Sequence, residues 1–186
     1  MIAASKWVIW VIMEIMEKPD LIIRDARKDE LDETGLVMKA AYEEYAAALP
    51  SGHWREYEKN IMDVRSRLPA ADLIVAEMKG VIAGAVTLFL KPAETPESWP
   101  TGWAGIRLLA AHPAYRGLGI GRALMDECVR RAGTRGIETI GLHTTEMMGI
   151  ARGMYEKMGF KRATEFDFHP SPEMVVMAYR LDLKPA

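Results

Sequence analysis

The chain contains 186 residues, 49% of them hydrophobic and 27% charged, and its formal net charge at pH 7 is −2. This size and composition predict one globular domain with a substantial core, and the small charge gives no general attraction for nucleic acid or an anionic membrane. The single cysteine, Cys128, excludes an internal disulfide framework and a cysteine-cluster metal site, and the four histidines lack metal-ligand spacing.

Residues 1–19 are interpreted as an extension that precedes a domain over residues 20–186. The apolar run over 7–13 is too short to span a bilayer and is followed directly by acidic residues, which is untypical of a signal peptide. The extension would pack on the domain or on a second subunit, or would be the product of an upstream start codon, because Met13 and Met16 lie just before the domain.

The first part of the domain is predicted to contain a strand over 21–26 and then two helices. Asp29 is predicted to cap a helix that extends to about Leu49, because apolar residues recur at helical spacing after it. A second helix is predicted over 54–68, where a proline ends it.

Two β-rich runs, 73–78 and 81–90, flank the dipeptide Lys79-Gly80 and predict a hairpin. Residues 91–102 contain three prolines and predict a loop. The remaining elements are predicted as a strand over 106–111, a helix from Ile120 to about Arg135, a strand over 139–144, a helix over 149–158, and a closing hairpin of 161–168 and 175–183 around 169–172.

The stretch that joins the strand over 106–111 to the next helix is the most informative part of the chain. Gly117, Gly119 and Gly121 alternate there behind Arg116. Glycine lets a ligand approach the main chain closely, and the first amides of a helix lack intrahelical acceptors and carry partial positive charge. The turn therefore predicts a binding site for an anion such as a diphosphate.

Two of three known phosphate-binding patterns do not fit this turn. A P-loop needs a lysine and a hydroxyl residue after its last glycine, and neither follows Gly121. A dinucleotide fingerprint counted from Gly119 would place its third glycine at Leu124. The pattern Arg/Gln-x-x-Gly-x-Gly/Ala, in contrast, fits Arg116–Gly121 at every position.

With this turn and the element order β-α-α-β-β-β-α-β-α-β-β, residues 20–183 resemble the GNAT superfamily of acyl-CoA-dependent N-acyltransferases. The resemblance implies an α/β GNAT fold, in which a mixed, mostly antiparallel central sheet of six to seven strands is flanked by about four helices, with a V-shaped splay between the fourth and fifth strands. It also implies acetyl-CoA as cosubstrate, an amine as acceptor, no metal, and a cytoplasmic protein without nucleic-acid or membrane partners. A homodimer formed through the apolar N-terminal run is expected only by analogy.

In that family the glycine turn holds the diphosphate of coenzyme A, and the preceding strand pairs with its pantetheine arm. The resemblance assigns cofactor binding to Leu109, Ala110, Ala111, Arg116, Gly117, Leu118, Gly119, Ile120, Gly121, Arg122 and Met148. Met148 departs from the family pattern, which has an asparagine seven residues before the catalytic tyrosine. Thr144, Thr145 or a main-chain group would have to replace that contact with the pantetheine arm.

Amide formation from a thioester requires a neutral amine, a stabilised oxyanion and a proton for the departing thiolate. The family places a tyrosine as the acid before a Gly-Phe pair, and Tyr155 before Gly159-Phe160 matches. A phenol with a pKa of about 10 is protonated at neutral pH and can serve a thiolate whose pKa is about 8–9. Glu146 and His143 are the candidates for the base, and the sequence does not choose between them and a water molecule. Cys128 lies in the wrong place for a nucleophile, so no covalent intermediate is expected.

The expected function is therefore direct transfer of an acetyl group from acetyl-CoA to a primary amine in a ternary complex. Two alternatives stay open: a non-catalytic acyl-CoA-binding module that regulates a partner, which the missing asparagine at Met148 favours, and transfer of a longer acyl group. The sequence does not identify the acceptor, and the candidates for its pocket are Tyr42, Glu43, Tyr45, His53, Trp54, Glu94 and Trp99.

Overall fold

A computed structural model describes residues 21–49, 52–91, 99–172 and 174–183. The predicted N-terminal extension and most of the loop predicted over 91–102 lie outside the described residues. None of the helices in the described ranges is long and apolar enough to cross a membrane.

The elements follow one another in an order close to the prediction. The strands are β1 (Leu21–Asp25), β2 (Asp72–Met78), β3 (Val81–Phe89), β4 (Trp103–Ala111), β5 (Thr139–Thr145), β6 (Lys161–Arg162), β7 (Phe168–Ser171) and β8 (Met174–Asp182). The α-helices are α1 (Leu31–Tyr42), α2 (His53–Met62), α3 (Val64–Arg67), α4 (Ile120–Thr134) and α5 (Gly149–Lys157), with 3₁₀ turns at Glu43–Ala48, Pro113–Tyr115 and Thr164–Phe166.

All strands belong to one sheet with the order β1-β2-β3-β4-β5-β8-β6, and β7 pairs with β8. The pair β4–β5 is parallel and the other pairs are antiparallel. This confirms the predicted mixed, mostly antiparallel sheet, although the described residues form eight strands and five α-helices, against the expected six to seven strands and about four helices.

The fourth and fifth strands part as predicted. They pair only from Trp103 with Thr139 to Ile106 with Leu142, so the last five residues of β4 have no β5 partner. On its other edge, β4 pairs with β3 through a bulge, where the register shifts between Ala85 and Thr87. Within this bulge Leu108 has a φ of 52°, a left-handed conformation that is uncommon for a residue other than glycine.

The extra strand arises because the first arm of the closing hairpin is divided. The Asp167 carboxylate accepts a hydrogen bond from the Ala178 amide of β8 and pairs with Arg162. A side chain thus takes the place of a backbone partner, and the chain bulges out in the Thr164–Phe166 turn before it pairs again as β7. The prediction of one continuous strand over 161–168, turning at 169–172, is therefore wrong.

The helical predictions in the first part of the domain need three corrections, two in the first helix and one in the second. Glu30, not Asp29, holds the N-cap position of α1. Its carboxylate does not cap the helix, because it forms ion pairs with Arg24 and Arg27. The α-helix ends at Tyr42, before the predicted end at about Leu49, and the chain then forms the Glu43–Ala48 3₁₀ turn.

The second predicted helix, over 54–68, is two helices in the structure. Asp63 leaves the helical conformation, with φ −79° and ψ 63°, and its carboxylate accepts the Ser66 amide as an N-cap that starts α3.

The hydrophobic core lies on both faces of the sheet. On one face α4 buries residues such as Leu124 and Cys128, and burial raises the pKa of the Cys128 thiol, as befits a structural cysteine. On the other face α1 buries Met38 against strands β2 to β4. Gly84 of β3 permits the close approach of α4, because a Cβ at this position would lie 2.6 Å from Ile120 Cγ2 and 2.7 Å from the Ala110 carbonyl oxygen.

We expect Gly84→Ala to lower the free energy of unfolding by about 1–3 kcal/mol, because the new methyl group would overpack the contact between β3 and the start of α4. Gly133→Ala is the matched control, since a Cβ there meets nothing within 4 Å and alanine favours a helix. Urea unfolding of both variants measures the difference, and equal stabilities would contradict the packing argument.

Candidate active site

A cleft of about 440 Å³ opens where β4 and β5 part. Its walls are the second half of β4, the turn before α4, the C-terminal end of α1 with the following 3₁₀ turn, Leu142 and His143 of β5, and one face of α5. Within the described ranges, no three His, Cys, Asp or Glu side chains are grouped as a metal ion would need.

The glycine turn forms one end of the cleft. His112 caps the short 3₁₀ turn before it, because its Nδ1 accepts the Ala114 amide at 3.3 Å. Gly117 and Gly119 have φ values of 79° and 82°, and a Cβ at either position would meet nothing within 4 Å. Gly119 is the N-cap residue of α4, so the first amides of this helix lack intrahelical acceptors, and its first three residues line the cleft. This geometry suits an anion.

The two arginines of the turn point their guanidinium groups at carboxylates of the protein. Arg116 donates to Glu44 Oε2 at 2.8 Å and to the Ala41 carbonyl at 3.0 Å, and the bond from Arg116 lowers the pKa of Glu44. Arg122 pairs with Asp126 at 2.9 Å. The main chain, more than these side chains, is therefore what the turn presents to a ligand.

The bulged part of β4 forms the long wall of the cleft. The Tyr42 hydroxyl donates to the Leu109 carbonyl at 3.2 Å, which ties the end of α1 to this wall. Leu109 and Ala111 line the cleft, together with most of the predicted cofactor residues. Ala110 and Leu118 do not: the first is buried and the second is half-exposed outside the cleft.

Tyr155 and Met148 come to the cleft from α5 and the residue before it. Tyr155 is buried, and its ring packs 5.9 Å from that of Phe160. Burial raises the pKa of the Tyr155 phenol above its usual value of 10, so this group stays protonated at neutral pH.

The structure separates the two candidates for the base. His143 lines the cleft, and its Nε2 lies 3.0 Å from the Phe166 carbonyl oxygen, which can only accept, so Nε2 carries the proton. Nδ1 is then the acceptor nitrogen, and it is buried without a hydrogen-bond partner in the described part of the chain. The ring stacks on Trp99 at 4.5 Å, and burial lowers the pKa of His143. Glu146, in contrast, is exposed in the turn after β5 and does not line the cleft.

Of the residues predicted for the acceptor pocket, some line the cleft and others do not. Tyr42 and Tyr45 line the cleft, whereas Glu43, His53 and Trp54 do not. Trp99 is buried beside His143, and Glu94 lies outside the described residues.

Sequence reasoning missed Arg107, which lines the cleft. Its only signal in the sequence is a charged residue within an apolar strand, and that signal does not say where the strand pairing ends.

The chain is similar to known acetyltransferases. A model of the acetyltransferase (GNAT) family matches residues 37–160, more than half of the chain. A mycothiol acetyltransferase of Cellulomonas flavigena is 31% identical over 105 residues, which cover 55% of this chain and 30% of that relative. The chain thus spans less than a third of the length of that relative.

Solved structures share the fold. An acetyltransferase of the GNAT family from Staphylococcus aureus Mu50 has a TM-score of 0.69 and 17% identity, covering 88% of this chain and 99% of that one. The PaiA N-acetyltransferase of Thermoplasma acidophilum, crystallised in complex with coenzyme A, has a TM-score of 0.67 and 17% identity, covering 86% and 98%. At such identities the likeness concerns the fold alone.

We expect the buried imidazole of His143 to make the protein less stable in acid. Because burial lowers its pKa in the folded state, the unfolded chain binds a proton more readily below about pH 6.5, and the free energy of unfolding falls as the pH drops through the folded-state pKa. His143→Gln should remove part of the loss that the wild type shows below about pH 6.5, measured by urea unfolding, with His169→Gln, at an exposed position, as the matched control. Parallel profiles for the wild type and His143→Gln would contradict this expectation.

Proposed function

This chain belongs to the GNAT acetyltransferase family, and from that premise we propose that it transfers the acetyl group of acetyl-CoA directly to a primary amine. The observation that carries the proposal is that the glycine turn, the unpaired edge of β4 and Tyr155 meet in one cleft. Residues 20–186 would form the catalytic domain. A cytoplasmic location and a homodimer stay predictions.

The residues of the cleft fit coenzyme A. Gly117 and Gly119 leave the space of a side chain open beside the first amides of α4, and these amides would hold the diphosphate. The main chain at Leu109 and Ala111, beyond the last pair with β5, would bond the pantetheine arm. Met148 lies on the cleft where many relatives carry asparagine, so the main chain has to supply more of this contact. The bound cosubstrate supplies an acetyl group activated as a thioester.

Tyr155 acts as the acid in this reaction. Its phenol keeps its proton at neutral pH because burial raises its pKa, and it gives that proton to the departing thiolate, whose conjugate acid has a pKa of about 8–9. A proton donor near the sulfur lets the thiolate leave as a thiol.

His143 is the better of the two candidates for the base. His143 lines the cleft, whereas the Glu146 side chain lies outside it. The His143 Nδ1 carries no proton but is buried, so the side chains around it would have to move to admit the amine or a water molecule before it could act as the base.

Direct transfer needs no covalent acyl-enzyme. Cys128 is fully buried in α4 away from the cleft lining, and its raised pKa leaves no reactive thiolate. Initial rates should therefore follow a ternary-complex pattern, and parallel double-reciprocal lines would contradict direct transfer.

We expect Gly119→Val to weaken coenzyme A binding by about 10- to 100-fold, because its side chain would fill the space beside the first amides of α4 and displace one or two charge-assisted hydrogen bonds. Gly136→Val is the matched control, since Gly136 also has a positive φ, of 69°, but lies at the other end of α4. Titration calorimetry with coenzyme A measures both. If Gly119→Val bound coenzyme A with unchanged affinity, this turn would not be the site that holds the diphosphate.

We expect Tyr155→Phe to lower the rate of thiol release from acetyl-CoA by about 10²- to 10⁴-fold, the usual contribution of a general acid, with little change in coenzyme A affinity. Tyr179→Phe is the control, because its hydroxyl bonds Glu156 at 3.0 Å outside the cleft. A panel of primary amines serves as acceptors. Tight binding of acetyl-CoA without turnover on any amine would favour the non-catalytic alternative, and a preference for longer thioesters would favour the other one.

A further inference from the structure

The imidazole of His143 has an unused hydrogen-bond acceptor beside an open cleft. Its Nε2 lies 3.0 Å from the Phe166 carbonyl oxygen, and its Nδ1 has no partner in the described part of the chain. The residue lines the cleft, yet Nδ1 itself is buried. A buried acceptor without a partner costs free energy, since it has lost its bond to water, and such exceptions are uncommon in folded proteins.

One cover of this imidazole is fixed. The indole ring of Trp99 stacks on it, with ring centroids 4.5 Å apart and an angle of 21° between the planes. Trp99 is only 5% exposed, and its ring also packs against those of Trp103 and Phe166, at 5.6 and 5.4 Å. Because closely packed interiors resist rearrangement, the indole cannot leave the imidazole without disrupting the small core cluster around it.

The backbone that bonds Nε2 is fixed as well. Phe166 is the last residue of the 3₁₀ turn before β7, and the next residue, Asp167, attaches this stretch to β8. The Asp167 carboxylate accepts the Ala178 amide at 2.8 Å and pairs with Arg162 at 2.6 Å. The Phe166 carbonyl is therefore held in place, and so is the edge of the imidazole that donates to it.

Phe168, in contrast, contacts the imidazole with a side chain that is able to move. Its ring meets that of His143 edge-on, with centroids 5.1 Å apart and an angle of 75° between the planes. The backbone of Phe168 pairs with Val176 of β8, but its side chain is 45% exposed. Exposed side chains change rotamer within picoseconds to nanoseconds, so this cover can open while the hairpin stays intact.

We propose that Phe168 is a movable cover of His143, and that the acceptor amine, or a water molecule that relays its proton, reaches Nδ1 when the phenyl ring turns away. This inference rests on the proposed acetyltransferase function and names a residue that controls access to its base. Phe168 transfers no proton itself. Its closed position lowers the fraction of molecules in which Nδ1 is accessible, and the apparent affinity for an acceptor falls with that fraction.

The first test measures access to His143 without any substrate. Diethyl pyrocarbonate labels unprotonated imidazole nitrogens at neutral pH, and peptide mass spectrometry separates the rate at His143 from those of the other histidines. We expect Phe168→Ala to raise the rate at His143 about 2- to 10-fold, the population shift that follows from losing one aromatic ring pair. Phe168→Tyr keeps the ring and should label His143 at the wild-type rate.

Two controls separate access from a general loosening of the hairpin. Val175→Ala removes a side chain that is 42% exposed from the neighbouring strand β8, and it should leave the labelling of His143 unchanged. His53, an exposed residue of α2, is the internal reference, and its labelling rate should be the same in all variants. Thermal unfolding verifies that each variant is folded.

The second test measures acetyl transfer to methylamine, benzylamine and glycinamide by thiol release from acetyl-CoA. If the phenyl ring limits access to the base, Phe168→Ala should raise kcat/KM for the best of these amines by up to the same factor, mainly through a lower KM. The affinity for coenzyme A should stay unchanged, because Phe168 does not line the cleft.

The outcomes are distinct. Equal labelling of His143 in the wild type and Phe168→Ala, or an equal rise in Val175→Ala, would overturn the movable cover. Faster labelling without a change in kcat/KM would overturn the approach of the acceptor at this position and leave the transferase intact. Absence of thiol release with every amine would overturn the proposed function itself, a failure on which the labelling rates do not depend.

Discussion

The end of pairing between β4 and β5 after Ile106 and Leu142 is the constraint on which the site depends. Beyond it, backbone donors and acceptors of β4 face a gap, and buried groups of this kind need partners. The Tyr42 hydroxyl provides one for the Leu109 carbonyl, and the bulge at Leu108 changes the direction of the others. A strand that was fully paired would leave neither the cleft nor a main chain that a ligand can reach.

The end of α1 connects the two ends of this gap. Tyr42 bonds the bulged strand, while Ala41 and Glu44 bond Arg116 of the glycine turn. The wall that would face the acceptor is thereby attached to the part that would hold the diphosphate. Glu44 also makes a hydrogen bond with Tyr45, so the 3₁₀ turn after α1 takes part in the same connection.

Sequence reasoning was most successful where the chemistry is local. The Gly117–Gly121 turn needs only its own positive φ angles and the helix that follows, and the structure has both. The splay and the mostly antiparallel sheet followed from family resemblance and are confirmed.

The division of the second helix at Asp63 was missed because the sequence alone does not show whether a polar residue within a helical pattern continues the helix or caps a new one. Arg107 was missed because its place in the cleft, directly after the last residue of β4 that pairs with β5, depends on where strand pairing ends, which is a long-range property. The sequence also could not choose between His143 and Glu146 as the base, because which of the two lines the cleft depends on tertiary structure.

The side chain of Trp99 restricts which residue can stand at position 141. A Cβ on Gly141 would lie 2.6–2.8 Å from atoms of the indole ring, and the same ring stacks on His143. The indole thus occupies the volume in which a side chain at position 141 would lie. Related chains that lose the glycine must also replace the tryptophan, so the two positions should covary, and the imidazole environment should change in the same lineages.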